Sequence, residues 1–420
     1  MPAPGGRPRD SRGPRAAALP RLRPLDFFPV QDGGETLIAV RDQEDLADGV
    51  LLLPRPVYLV AALLDGRRSA VDVQVEYARR FGGVLLGSAD LRRVVDELDR
   101  VGLLETDALD ARRRAAEEAF RASPVRAARH AGASYPDDPA ALREALDGYL
   151  RAANAAELEG MVPRGIIAPH IDFPRGGWCY GWAYAALRAS RATSFLVLGV
   201  AHSAPPVPVI LTEKPFETPL GTVGVDRDFV RELQARAGAL TAHEIAHRTE
   251  HSLEFQVVFL QAALRGRPFT ITPVLCSSFE AWTADGSPRD VEDLERVVSA
   301  LRAALRGRPD VGVVVSVDFS HVGPRFGDDD PVSDALASRT SLADRAALEA
   351  IARGDAEEFW RTVASGGNPR RIDALSAVYT ALRILEPASG RLLRYGQALD
   401  PSGGLVSFAS LALREGPGPP

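Results

Sequence analysis

Lysine is almost missing from this chain: Lys214 is the only one among 50 basic residues, and the arginine bias reads as genomic codon usage rather than function. Cysteine is nearly as scarce. Cys179 and Cys276 cannot build a disulfide framework and stand too far apart for a CxxC metal site, which fits a reducing compartment. Long apolar runs are also lacking, since Val311–Val317 falls far short of the roughly 20 residues that a membrane-spanning helix needs. The first 25 residues hold Arg7, Arg9, Arg12, Arg15, Arg21 and Arg23 among prolines and glycines without the apolar core of a signal peptide, so the expected location is the cytoplasm. Positive charge is not in excess either: at a net −6 the chain has no general attraction to nucleic-acid phosphates or an acidic membrane face.

What is present is ordinary for a folded protein. With 45% hydrophobic and 25% charged residues, wholesale disorder, a collagen-like chain and a coiled-coil rod are excluded. A length of 420 residues allows a large core and about two or three domains. Residues 1–24 offer little to bury and are expected to be a disordered tail. Residues 25–106 carry two short apolar strands, Thr36–Val40 and Val50–Leu53, and then three helical stretches. The third is the clearest, with Ser88 as N-cap and Leu91, Val94, Val95, Leu98 and Val101 on one face. Strand–helix order and the closing Leu103–Thr106 resemble the small winged-helix module of the PqqD type, which binds leader peptides. Asp90, Asp96, Glu97 and Asp99 offset Arg92, Arg93 and Arg100 on the third helix, which argues against a nucleic-acid recognition helix. Residues 107–135 read as a solvated helical linker, and Ser134–Pro139 as a turn into a capped helix. Residues 136–415 alternate helical stretches with unbroken apolar segments at Gly165–Pro169, Ser194–Val200, Val207–Leu211, Phe269–Cys276 and Val311–Val317. Such segments are strands buried on both faces, so the fold class is α/β with a helix-covered sheet.

The chemistry is concentrated at the ends of these strands. His170 and Asp172 follow the first, His202 and Ser203 the second, and Asp318, Ser320 and His321 the last. Ligands of open α/β sheets bind beyond the strand carboxyl ends, so three distant segments would bring imidazoles and a carboxylate to one rim. Two imidazoles and one carboxylate leave positions on a metal ion open for substrate or oxygen. Ligation needs neutral imidazole and should weaken below roughly pH 6.5. Glu250–Leu260 starts a helix with Leu253, Val257 and Leu260 toward a core, which places His251 and Glu254 in its first turn; Glu254 reads as structural. A competing motif, His243-Glu-Ile-Ala-His247, has the HExxH spacing of zinc peptidases, with Glu244 as general base. Its surroundings lack the apolar run that buries such a helix, and His251 comes too early for a third ligand of the metzincin type.

Ile167-Ala-Pro-His-Ile171, Leu198-Gly-Val-Ala-His-Ser203, Glu250-His-Ser-Leu-Glu-Phe-Gln256, Thr272-Pro-Val-Leu275 and Ser316-Val-Asp-Phe-Ser-His-Val-Gly323 occur together in this order. With Pro215–Gly221, a late helix at Ile372–Leu382 and closing strands near Tyr395 and Val406–Leu413, residues 160–415 resemble the Memo family, in the bacterial form called component B of the AmmeMemoRadiSam system. The resemblance implies a fold similar to class III extradiol ring-cleaving dioxygenases, in which two histidines and a carboxylate hold ferrous iron. It implies a cleft with His170, His202 and His251 as ligands to iron or copper, and an oxidoreductase or dioxygenase-like reaction on a small molecule or peptide. His251, Asp318 and His321 would be the catalytic side chains. It also implies radical-SAM and AMMECR1-like partners, and the PqqD-like module adds a peptide; the other reading is thus a non-catalytic scaffold. Two departures stand out. Many members carry cysteine where this chain has Ser320, a poor ligand for a soft metal. At the first motif, where Pro-His-Ala-Gly is usual, Pro169-His-Ile-Asp172 makes Asp172 a candidate substitute carboxylate.

Overall fold

The computed structural model describes residues 17–47, 51–203, 205, 207–283, 286–400 and 403–416. It forms two compact units, divided between Ala119 and Phe120.

In the first unit β1 (Arg21–Leu22) precedes β2 (Asp26–Asp32), β3 (Glu35–Arg41) and β4 (Leu51–Pro54), and the last three form an antiparallel sheet in that order. Helices α1 (Arg55–Leu63), α2 (Ala70–Arg80) and α3 (Ser88–Arg100) follow, and β5 (Leu104–Glu105) pairs back onto β1. Leu91, Val95 and Leu98 of α3 are buried in one cluster with Val60 and Leu63 of α1 and Val73 and Tyr77 of α2, as the helical spacing requires. Two details differ from expectation. Gly87 is the N-cap of α3, so Ser88 is its first helical residue. The expected tail is structured at β1, while its residues 1–16 lie outside the described part. β2 is an additional strand; Pro29 within it masks the pattern and is tolerated because β2, among the described residues, pairs with β3 only. α4 (Asp107–Ala122) is helical for about half of the expected linker, and beyond it Arg126 and Tyr135 are buried.

The second unit is built on a ten-stranded sheet. In chain order it runs α5 (Pro139–Ala152), β6 (Gly165–Ala168), α6 (Phe173–Leu187), β7 (Ser194–Val200), β8 (Val209–Leu211), β9 (Phe216–Thr218), β10 (Gly221–Val225), α7 (Arg227–Ala237), α8 (His251–Ala263), β11 (Thr270–Cys276) and α9 (Glu280–Thr283). Then come α10 (Glu292–Arg306), β12 (Val311–Ser316), β13 (His321–Val322), α11 (Asp334–Arg353), α12 (Ala356–Ala364), α13 (Leu375–Ile384), β14 (Ala388–Asp400) and β15 (Gly404–Glu415). The strand order is β13-β15-β6-β12-β7-β11-β10-β9, with β14 on β15 and β8 on β11.

β6, β12, β7 and β11 are neighbours and parallel, so their carboxyl ends share one rim. Their apolar runs are unbroken because both faces are covered. Ile167, Leu196, Leu198, Val313 and Val315 enter a core with residues of α7 and α10–α13, while Ile166, Ala168, Phe195, Val197 and Val314 enter another with α5, α6 and α8. The end of β7 comes very close to α8, and a Cβ at Gly199 would lie 2.6 Å from Ser252 Oγ.

Candidate metal centre

The shared rim gathers the histidines. His170 follows β6, His202 follows β7, and His251 opens α8; their ring centroids are 5.1 Å (170 to 202), 5.0 Å (170 to 251) and 4.8 Å (202 to 251) apart. One nitrogen from each ring can be chosen so that all lie within 4.8 Å of one another. His170 is buried, whereas His202 and His251 keep 30% and 31% of their side-chain surface exposed, so the cluster opens to solvent on that side.

The rings of His170 and His202, and that of the nearby His321, are oriented by hydrogen bonds at Nδ1. His170 Nδ1 faces the Ser316 carbonyl at 3.3 Å, and His321 Nδ1 faces the carbonyls of Phe319 and Arg371, both at 3.0 Å. Both arrangements suit Nδ1–H donors and turn Nε2 toward Asp373, within hydrogen-bond distance for His170. His202 Nδ1 meets the Glu250 carboxylate at 3.0 Å, the carboxylate–imidazole pairing typical behind metal-binding histidines. Glu250 is also the N-cap of α8, accepting from Ser252 N–H at 2.9 Å and from His202 N–H at 3.1 Å. A buried polar brace lies behind the rings: Ser316 Oγ donates to Ser252 O at 2.5 Å, and Gln256 Nε2 donates to Pro169 O and Ser316 Oγ, both at 2.7 Å. These bonds tie the ends of β6 and β12 to α8.

Carboxylates complete the surroundings. Asp318 Oδ1 accepts the His170 backbone N–H at 3.1 Å, with Oδ2 3.7 Å from His170 Nε2. Asp373 Oδ2 lies 3.0 Å from His170 Nε2 and 3.9 Å from Nε2 of both His202 and His321. The electrostatics follow. Burial opposes charge on His202, but Glu250 and Asp373 outweigh it and raise its pKa well above the usual value; His170 is raised in the same way by Asp373 and Asp318. Proton competition for these two rings therefore extends above pH 6.5. Burial, only partly opposed by Glu250, holds His251 well below the usual value, so its ring is neutral. Burial raises Asp318, and despite burial the imidazoles, His170 first, hold Asp373 low. Imidazole nitrogens turned inward and backed by carboxylates and carbonyls fit a metal ion, and His170, His202 and His251 could hold one.

The Memo-like protein family matches residues 126–412. The chain belongs to the Memo family. A MEMO1 family protein of Thermus thermophilus is 32% identical over 349 residues, 82% of this chain and 99% of that protein. One from Aquifex aeolicus is 28% identical over 397 residues, 93% of this chain and 99% of that protein, and one from Methanopyrus kandleri is 26% identical over 300 residues, 68% of this chain and 98% of that protein. The α/β sheet and its helices are thus a Memo fold, similar to that of the extradiol dioxygenases.

Within this Memo protein two candidates lie elsewhere. Asp172 is the N-cap of α6, accepting Arg175 N–H at 3.2 Å and pairing with the Arg175 guanidinium, so it supplies no carboxylate to the cluster. Ser320 Oγ donates to the buried Asp344 at 2.6 Å and accepts from Arg370 Nε at 3.0 Å, a bracket behind His321 rather than a donor to the rings. The HExxH segment is not a zinc-binding helix. Glu244–His247 is a single 3-10 turn with His243 exposed, His247 buried against Ile210 O at 3.1 Å, and Glu244 held by Thr212 at 2.9 Å. Glu254 is structural, as expected: it accepts from Arg126, Tyr135 OH and the N–H groups of Arg129 and His130. Three contributors were missed. Glu250 sits in a quoted motif but had no role; His130 packs on His251 at 5.6 Å; and Asp373 precedes α13, which starts at Leu375 rather than Ile372.

Proposed function

We propose that this Memo protein is a metal-dependent oxidoreductase related in chemistry to the ring-cleaving dioxygenases, acting on a small molecule or peptide. The supporting observation is that three imidazoles from separate elements have mutually close nitrogens on a rim open to solvent. His170 and His202 hold the ion, iron or copper, and His251 is a further ligand or an acid/base. Bound there, a redox ion would supply electrons for oxygen chemistry. The side chains do the rest. Glu250 fixes the His202 ring, Asp318 and the Ser316 carbonyl fix His170, and neutral His251 can take a substrate proton on its ring. His321, with Nδ1 held by two carbonyls, keeps Nε2 toward Asp373 and can pass a proton at that atom.

Elemental analysis of anaerobically purified protein tests this. About one iron or copper per chain is expected in the natural protein, and almost none in His170→Ala/His202→Ala. Equal metal in both would exclude the pair.

A second reading makes the chain a peptide-presenting partner of a radical-SAM enzyme and an AMMECR1-like protein. The observation in its favour is that β2 and β4 each pair with β3 alone among the described residues, leaving edges of the kind to which an extended peptide adds. Metal with oxygen uptake favours the enzyme; peptide capture by residues 25–106 without metal favours the partner.

A further inference from the structure

We propose that a cavity beside the histidine rim seats the substrate, and that it takes a small molecule carrying an ammonium group, held by Glu280. This rests on the reading that the rim acts on a substrate, and narrows that substrate to a class. The cavity measures about 360 Å³, near the lower end of the roughly 300–1,000 Å³ of small-molecule sites, so it suits a compact molecule. Val200 and Cys276, the last residues of β7 and β11, line it together with Ala201 and Ser277. It therefore lies beyond strand carboxyl ends, where open α/β sheets bind ligands. His202 directly follows Ala201, and Asp373, another lining residue, stands 3.0 Å from His170 Nε2. A molecule in the cavity is thus next to the imidazoles.

The side chains around it decide the ligand, and most are already committed. Arg371 Nη1 donates to His321 O at 2.9 Å, and its guanidinium pairs with Asp328. Asn368 clamps Ile372, with Nδ2 donating to Ile372 O and Oδ1 accepting Ile372 N–H, both at 2.9 Å. Ser376 Oγ accepts Phe279 N–H at 2.9 Å. Asp373 Oδ1 accepts Asp318 N–H at 3.0 Å, and Oδ2 faces the rim. Two groups are left. Glu280 is half-buried and accepts from Ser278 Oγ at 3.0 Å, but among the described residues it meets no arginine or lysine. Ser277 is 6% exposed, and its Oγ is buried without a hydrogen-bond partner among the described residues. Such an orphan costs stability, which a ligand able to bond it offsets.

A carboxylate and a free hydroxyl can both accept, so together they suit a cationic donor. The opposing influence is the N-terminus of α13, where Leu375 and Ser376 line the cavity and no side chain provides a cap. A helix N-terminus amounts to about half a positive charge, less than the full unit on a carboxylate, and the charge of Arg371 is matched by Asp328. An ammonium at Glu280 gains a charge-assisted bond, whereas a carboxylate there is repelled. One wall is set before any ligand arrives: Gly366, Gly367, Asn368 and Arg371 are left-handed, at φ 70°, 75°, 51° and 51°, a strained form that the Asn368 clamp enforces.

The test is fluorine NMR titration of the full chain with para-fluorobenzylamine, an ammonium at neutral pH, beside the uncharged para-fluorobenzyl alcohol and the anionic para-fluorobenzoate. EDTA is present throughout, so no probe is held by a metal. The amine is expected to bind roughly 10-fold or more tighter than the alcohol, with benzoate weakest, and Glu280→Gln to bring amine and alcohol together. Ser277→Ala is expected to weaken the amine while raising the urea midpoint, because it removes an unsatisfied hydroxyl; a serine serving only the fold would lower the midpoint. Equal binding of amine and alcohol by the natural protein, or an amine preference that survives Glu280→Gln, overturns the assignment. Should Glu280→Gln fail to fold, Ser277→Ala decides, and unchanged amine affinity there overturns it. None of these outcomes bears on the metal, which elemental analysis reads separately.

Discussion

His247 is 1% exposed, its Nε2 lies 3.1 Å from Ile210 O, and burial, partly opposed by that bond, brings its pKa down to about 3. In the unfolded chain the same ring titrates near the ordinary value of about 6.5. Between these values the unfolded state binds a proton that the folded state refuses. The contribution of His247 is therefore fully present above about pH 6.5 and falls as pH drops toward 3, with a slope approaching about 1.4 kcal/mol per pH unit. His247→Gln, which keeps a donor for Ile210 O, is expected to flatten the decline between about pH 6 and 4, as measured by urea unfolding. An unchanged slope would mean that the ring is charged in the folded protein. His130 and His251 are lowered in the same sense but are common to both proteins, so the difference isolates His247.

Among the elements, the junction of β7 and α8 carries the most consequence. Ser252 Oγ accepts Val200 N–H at 3.2 Å and donates to Val200 O at 3.1 Å, stitching the first turn of α8 to the strand that presents His202. An alanine methyl at Gly199 would meet Ser252 Oγ at 2.6 Å and Leu253 Cδ2 at 2.8 Å. Gly199→Ala is expected to cost about 1–3 kcal/mol by overpacking, read from denaturant unfolding, and to weaken metal binding by shifting His251 away from His202. Full metal affinity in a destabilised variant would show that the stitch serves stability alone. The parts of this junction were readable in advance, because an unbroken apolar strand, a histidine just beyond it and a polar first turn are all local signals, though the Ser252 stitch that joins them was not. Nor was the position of Asp373. It lies in an irregular left-handed loop with no periodicity, and its partner His170 is 203 residues away in sequence. HExxH misled for the opposite reason: its spacing is a property of a helix, and the chain makes only a single 3-10 turn there.

For the molecule as a whole, the Memo match begins at Arg126, while the Methanopyrus relative is matched over 98% of its length by 68% of this chain. A unit equivalent to residues 120–420 should thus be self-sufficient. A chain begun at Phe120 is expected to fold and to hold as much metal per chain as the full protein, checked by circular dichroism and elemental analysis. One begun at 136 would lack Arg126 and Tyr135, leaving the buried Glu254 carboxylate unpaired at a cost of about 3–5 kcal/mol. If both truncations behave alike, the segment from Arg126 to Tyr135 is not part of the folding unit.

Glu250 serves helix and cluster at once, since one carboxylate caps α8 and grips the His202 ring. A replacement at this position must offer both an acceptor for a helix terminus and a negative charge, which only aspartate shares, on a shorter arm. The position is thereby closed to gradual change: a substitution that keeps both the α8 cap and the grip on His202 has to be another acid.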